Sequence, residues 1–573
     1  MGTRGLEIVR FRGRYYIRWH RFDSYFEGLG AKIVASIPTD PEKYNRWLES
    51  MRAQYAAKES VLDRDVYEIR DGVKPDYSQF EEFESLPSDF PELNNWAEYI
   101  YIINLDHEVL TMNHTIHWKL GNVPRQDDLW LRAIVGSIYR YESTISPEIC
   151  PEEHMASPAL EYPEPTWDIK YDFRIVSPRT DIAEAPKAFV TQVLADTISQ
   201  YETQIITFGK EWSPSSFPFR ELTFALVSIA SGQTKFHSFP VQECNPRTCQ
   251  RWTCKSSHLH RLPGWVDEEW VGDSAPLLEF GSPAHRPGEP PGASPMETIY
   301  WVEDVLVSLA LVVDGDSISK AVAWGVERGH TNFQIVILSL FEVAFAEVSF
   351  DGEAGPFAKA SKAVKLSPLR VDACASTHPR QRPELKPGME AQNRDGKRTV
   401  NSDCKGTIRR LQRHFPGLAA LVNFFEVASS RRAASKLAGI LPLELYDRIV
   451  DFVDYDTWKT CLQVSTGVRS CCLRKYRLDD HMRIVSGPFV RQVHHYRYTQ
   501  CLMSFDFEDM KTGQILPMMH APGSDSIREC NWVPVIGSDR KAIMLDIMIQ
   551  FKPVEDVPVE DDSDDDFLHT PLP

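Results

Sequence analysis

Cysteine and histidine crowd one stretch of this chain, CNPRTCQRWTCKSSHLH at 244–260. Cys244, Cys249, Cys254, His258 and His260 place five soft or borderline ligands within 17 residues. Zinc takes four such ligands in a tetrahedron. The spacing C-x4-C-x4-C-x3-H-x-H lacks the tighter cysteine pairs of the usual fingers. Two readings stand side by side: a structural zinc site held by Cys244, Cys249, Cys254 and His258, or a surface loop whose cysteines bind nothing. Catalysis at such a metal would need an open coordination position and a general base, and Glu268 and Glu269 are the near carboxylates in sequence. His107, His114 and His117 do not form H-E-x-x-H and read as strand residues. The chain has no G-x-S-x-G, no G-x-x-x-x-G-K-[ST] and no G-x-G-x-x-G. A non-enzyme without a cofactor is the expectation, with zinc as the alternative.

The elements that would position these groups must come from a large chain. It has 573 residues, 42% of them hydrophobic and 11% aromatic. That is enough for roughly three or four domains with cores of their own. Net charge is −18, and the last twenty residues supply 8 of it through Glu555, Asp556, Glu560, Asp561, Asp562, Asp564, Asp565 and Asp566. A mildly acidic body disfavours nucleic acid and anionic membranes as general partners. The longest uncharged apolar blocks, 305–313 and 333–341, fall far short of the ~18 residues of a spanning helix. No signal peptide pattern opens the chain, and the eleven cysteines are an odd count. A reduced setting, cytoplasmic or nuclear, is expected.

The pattern predicts an α+β multidomain chain. Residues 1–160 open with a hairpin in IVRFRGRYYIRW, with aromatics inward and arginines in solvent. A helix follows, capped by Asp40, and strands are predicted at 98–104 and 115–120. Residues 161–371 form a middle α+β region with a Pro/Gly-rich loop at 272–295. Helices are predicted at 297–312 and from Ser317, and 332–350 is either a buried strand pair or a helix. Residues 372–406 are a polar linker. Helices are expected from 407 to 482 and antiparallel strands over 483–553, including a hairpin that joins NWVPVI to 541–552. The tail 554–573 is expected to be disordered, with Ser563 among acids as a phosphorylation candidate.

The compact block LPLELYDRIVDFVDYDTWKTCLQVSTGVRS at 441–470 remains. Pro442 suits a first helical turn, and Leu445, Ile449, Phe452 and Val453 form an apolar stripe. Asp456 is the expected cap of a second short helix carrying Trp458, Cys461 and Leu462. Helices this short are marginal alone, so their apolar faces must be covered by their own chain or by a partner. Leu441, Pro442, Glu444, Leu445, Ile449, Val453, Asp454, Val464 and Ser465 stand in register with the F-box pattern, and the block resembles that family. Tyr455, Trp458 and Gln463 depart from it. The phrases IVRFRGRYYIRWHRFDSY, NFQIVILSLFEVAFAEVSF and WVPVIGSDRKAIMLD are similar to uncharacterised fungal proteins that carry such a block.

The resemblance implies a non-catalytic, substrate-recruiting subunit. Leu441, Pro442, Leu445, Ile449, Val450, Val453 and Val464 would dock on the adaptor subunit of a cullin–RING ubiquitin ligase, and the remaining chain would hold an unknown target protein. The alternative is a zinc-stabilised domain at 244–260 with a hydrolytic or nucleic-acid-directed function.

Overall fold

The first strands arise where seven-residue runs of β-branched and aromatic residues flank a turn with Arg12 at φ 50°. In the computed structural model, the described residues lie within 2–70, 97–156, 172–240, 294–366, 416–435, 441–517, 532–535 and 546–551, apart from 13, 114–115, 140–144, 146–148, 201–204, 206–208, 210–212, 216, 296, 351–355 and 496–497 inside these ranges. β1 (Gly5–Phe11) and β2 (Arg14–His20) pair antiparallel. α1 (Ala31–Ser36) and α2 (Pro41–Arg70) follow, and the Lys43 amide donates to Asp40 Oδ1 at 2.9 Å, the predicted cap. β3 (Tyr99–Asn104), β4 (Val109–Met112) and β5 (Ile116–Lys119) complete a five-stranded sheet of order β2-β1-β3-β4-β5. α3 (Leu129–Tyr139) closes this unit.

Phe11 and Tyr16 are buried as expected, but Arg10 is buried too and forms an ion pair with Asp106 at 3.7 Å. The reason is that β1 is covered on both faces. Leu6, Ile8 and Ile17 make one small cluster, while Val9, Phe11 and Tyr16 join the main core on the other side.

The middle region is built on a seven-stranded sheet. Its elements are β6 (Asp172–Val176), α4 (Ala185–Gln200), α5 (Phe217–Ala230), β7 (Lys235–Pro240), β8 (Ile299–Val302), β9 (Val305–Leu309), α6 (Gly315–Glu327), β10 (Phe333–Leu338), β11 (Glu342–Phe350), β12 (Pro356–Ser361) and β13 (Val364–Lys365). The order is β6-β12-β11-β10-β9-β8, with β13 on β11 and β7 in another sheet. The helix predicted at 297–312 is instead the β8–β9 hairpin, turning at Glu303 with φ 59°. All five residues of β9 are buried, and a strand covered on both faces reads as a continuous apolar run that carries no period. The ambiguous stretch 332–350 is a strand pair. α6 begins earlier than the expected Ser317, at Gly315, behind a capping box in which Ser317 N–H donates to Asp314 Oδ1 at 2.9 Å and Ser317 Oγ accepts from the Asp314 amide at 2.9 Å.

The polar stretch 372–406 lies outside the described residues, and so does most of the loop 272–295. The stretch separates two halves in sequence but not in space. α7 (Pro416–Ala434) lays Leu418, Leu421, Val422 and Phe425 into the same core as α4 and α5. Its start presses so closely on β13 that a Cβ on Gly417 would meet the Lys365 carbonyl at 2.6 Å. Beyond three short helices, α8 (Leu443–Phe452), α9 (Tyr455–Cys461) and α10 (Thr466–Arg474), the chain returns to this core. β14 (Met482–His495), β15 (Tyr498–Asp509) and β16 (Ile515–Pro517) form an antiparallel sheet. Phe505 and Phe507 meet the Phe189 ring edge-on at 5.5 and 5.8 Å.

β17 (Trp532–Val535) pairs antiparallel with β18 (Asp546–Phe551), the predicted hairpin, and β18 also runs parallel to β7. The expected C-terminal β region at 483–553 is therefore no separate unit: its strands complete the middle one. The chain is a multidomain α+β protein. No described helix is long and apolar enough to cross a membrane.

Candidate docking surface

Three caps build the helical block. Asp454, not Asp456, caps α9, accepting from the Thr457 amide at 2.7 Å, and Ser465 caps α10 by accepting from the Val468 amide at 3.3 Å. Asp456 falls in the first turn of α9, where its charge favours the helix N-terminus. The buried Arg477 guanidinium donates to the Val450 and Val453 carbonyls at 2.6 and 2.5 Å, meeting the open C-terminus of α8. Pro442 is the residue before α8, in extended conformation, and the Leu441 amide donates to Tyr446 Oη at 3.1 Å.

A small core closes the block. Val450, Tyr455, Trp458, Val468, Cys471 and Cys472 are buried together. The Trp458 indole stacks on Tyr455 at 5.8 Å and meets Tyr476 edge-on at 5.5 Å. Burial pushes the Cys472 thiol up to about 12, so at neutral pH it is a packing group and not a thiolate.

Helical geometry divides α8 into two faces. Tyr446, Val450 and Val453, at i, i+4 and i+7, turn toward this core. Leu445, Ile449 and Phe452, at the same spacing one position earlier, turn away from it, and Phe452 is 89% exposed. Leu441, Leu443 and Val464 are exposed large apolar side chains of the same block. Of the residues expected to dock, Leu441, Pro442, Leu445, Ile449 and Val464 are exposed. Val450 is a correction: at 1% exposure it belongs to the block's own core and offers nothing to a partner. Val453 is half-buried against that core. Leu443 and Phe452 join the exposed set. The i+4, i+7 count from Leu445 already contained Phe452, whereas nothing in the pattern singled out Leu443.

The opposite side of the block is fixed to the rest of the chain. Lys459 Nζ donates to the Gln233 and Thr234 carbonyls at 2.8 and 3.1 Å. Gln463 Nε2 donates to Glu303 at 2.9 Å, while its Oε1 accepts from Arg432, which itself pairs with Glu303. Arg469 reaches Glu426 at 2.6 Å and the Leu462 carbonyl at 2.9 Å. These contacts give a physical reason for two departures from the F-box pattern. Trp458 and Gln463 face their own protein, where an indole fills the core and an amide bridges two ion partners.

Charge ties α8 to α10. Lys475 Nζ lies 2.9 Å from Asp447 and 2.7 Å from Asp451, and Arg474 donates to Asp447 at 3.1 Å. The hydrogen bond from Lys475 holds the Asp447 carboxyl below its ordinary 3.8, and the Thr457 hydroxyl and amide do the same for Asp454. Because the folded values lie below the unfolded ones, this stabilisation is present above the ordinary carboxylate range. It is lost as pH falls through the folded values. Protection of 443–474 against hydrogen exchange, taken relative to the intrinsic rate at each pH, is expected to fall below about pH 4, and Asp447→Asn is expected to remove part of that acid dependence. A variant whose exchange keeps the full acid dependence would contradict the assignment.

Among the described residues, no group of three or more His, Cys, Asp or Glu is arranged to hold a metal. The Cys244, Cys249, Cys254, His258 cluster, His260 and Ser563 lie outside the described residues, as does the acidic tail. His107 falls in the β3–β4 turn and not in a strand. His117 is a buried strand residue, its Nδ1 2.8 Å from Thr111 Oγ1. The described cysteines Cys150, Cys461, Cys471 and Cys472 are free thiols. The chain matches no family model, no curated protein and no solved structure.

Proposed function

We propose that this protein is a substrate-recruiting, F-box-type subunit of a cullin–RING ubiquitin ligase and performs no chemistry itself. The observation that carries this reading is the two-faced α8. One face is sealed into the block by Val450, and the other presents Leu445, Ile449 and Phe452 to solvent. Large apolar side chains clustered on one short helix mark interaction surfaces. An i, i+4, i+7 stripe is the geometry of a helix that packs on a helical partner. The agreement of 441–465 with the F-box pattern selects the adaptor as that partner. The mechanism is tethering: the adaptor holds the block, the middle core holds the block from behind, and a target bound elsewhere on the chain is kept near the ligase at raised effective concentration.

The test mixes the full chain with purified adaptor subunit and follows the complex by gel filtration. A one-to-one complex is expected, and Ile449→Asp/Phe452→Asp is expected to abolish it while leaving thermal unfolding of the free chain unchanged. Co-elution that survives the double substitution would remove the docking face from the account.

A further inference from the structure

Behind the block lies a cleft of about 360 Å³, walled by the start of α4, the end of α5, α7, and α9–α10. None of the exposed docking residues lines it. Its walls combine aromatic and aliphatic groups, among them Tyr455, Trp458, Phe425, Val190 and Ile229. That size lies at the lower end for ligand sites, and such a wall with a few polar groups is their usual make-up.

Two observations define the chemistry of an occupant. First, the acids of the lining are matched by bases. Glu184, Glu303 and Glu426 of the lining are equal in number to its bases Lys187, Lys459 and Arg469, with Glu184 3.1 Å from Lys187 and Glu426 2.6 Å from Arg469. The lining itself carries no excess of either sign to draw in a charged group. Second, three lining residues hold buried polar atoms with no hydrogen-bond partner: Trp458 Nε1, Arg469 Nε and Thr234 Oγ1. Two are N–H donors and the third is a hydroxyl, so what all three can take is an acceptor, and the balanced charge of the lining favours an uncharged one. A buried donor without an acceptor is unfavourable, which makes supplying one a source of binding energy. Backbone carbonyls flanking apolar side chains supply acceptors without charge.

We propose that this cleft binds a short, uncharged, apolar stretch of polypeptide belonging to the recruited target, an inference that rests on the target-recruiting reading above. Apolar side chains would fill the aromatic wall, and main-chain carbonyls would meet the indole and guanidinium N–H groups. Ligase docking and target binding would then use opposite sides of one small block.

The probe is a set of end-blocked, fluorescent hexapeptides of Gly and Ser around a central pair drawn from Leu, Ile, Met, Phe and Trp. Asp–Asp and Lys–Lys pairs serve as charged counterparts. Fluorescence anisotropy with the full chain is expected to show saturable binding of one or more apolar pairs and none of the charged ones. Ser429→Phe, which fills the cleft from a half-buried position on α7, is expected to weaken binding at least about tenfold. Ser231→Trp at the end of α5 is expected to do the same and decides the matter if the first variant does not fold. Phe452→Ala should bind these peptides as tightly as the unaltered chain. No saturable binding by any apolar peptide, a preference for a charged pair, or binding indifferent to both cleft-filling variants would overturn the proposal. Peptide binding by the unaltered chain, when that same unaltered chain captures no adaptor, would sink the docking reading and leave the cleft standing.

Discussion

Trp458→Ala is expected to unfold the helical block locally, at a loss of about 3–5 kcal/mol to its stability. Trp458 is 1% exposed and is the largest side chain of a core made of only six buried residues. Its ring contacts with Tyr455 and Tyr476 are the aromatic part of that core, and alanine would leave a cavity that three short helices have little means to close. Each helix is too short to persist alone, so losing the shared core releases all three. Hydrogen–deuterium exchange is the measurement, because it reads the block separately from the large sheets. Protection of 443–474 is expected to collapse while β9, β10 and β11 keep theirs. Unchanged protection in the block would mean that the polar anchors Lys459, Gln463 and Arg469 hold it without the core.

Substitutions on the two faces of α8 are expected to part cleanly. Phe452→Ala should leave block stability nearly unchanged, since the ring is 89% exposed. Capture of the adaptor should weaken by about 2 kcal/mol or more, roughly 30-fold in Kd, as for an aromatic anchor at the centre of an interface. Val450→Ala should do the reverse. Removing a side chain that is 1% exposed should cost the block about 1.5–3 kcal/mol, with a smaller effect on capture by whatever fraction remains folded. Isothermal titration with the purified adaptor, paired with hydrogen exchange on each variant, separates the outcomes. If Phe452→Ala captures the adaptor as tightly as the unaltered chain, the exposed stripe is not the contact.

The amino-acid sequence by itself determined the features that depend on neighbours in the chain. The Asp40 cap, the opening hairpin, the final hairpin and the existence of short helices after Leu441 all rest on turn residues, caps and side-chain period within a dozen positions. The apolar stripe of α8 was legible for the same reason. Which part of it stays free was not. Val450 and Ile449 are adjacent aliphatic residues, and only the position of α10 and Arg477 decides that one is sealed and the other open. The β8–β9 hairpin was read as a helix because a strand buried on both faces shows no alternation. Tertiary structure alone decided that the strands after residue 480 complete the middle core, with β18 beside β7 across roughly three hundred residues of chain. Such pairings follow from which apolar faces meet in space, and local sequence carries no record of that.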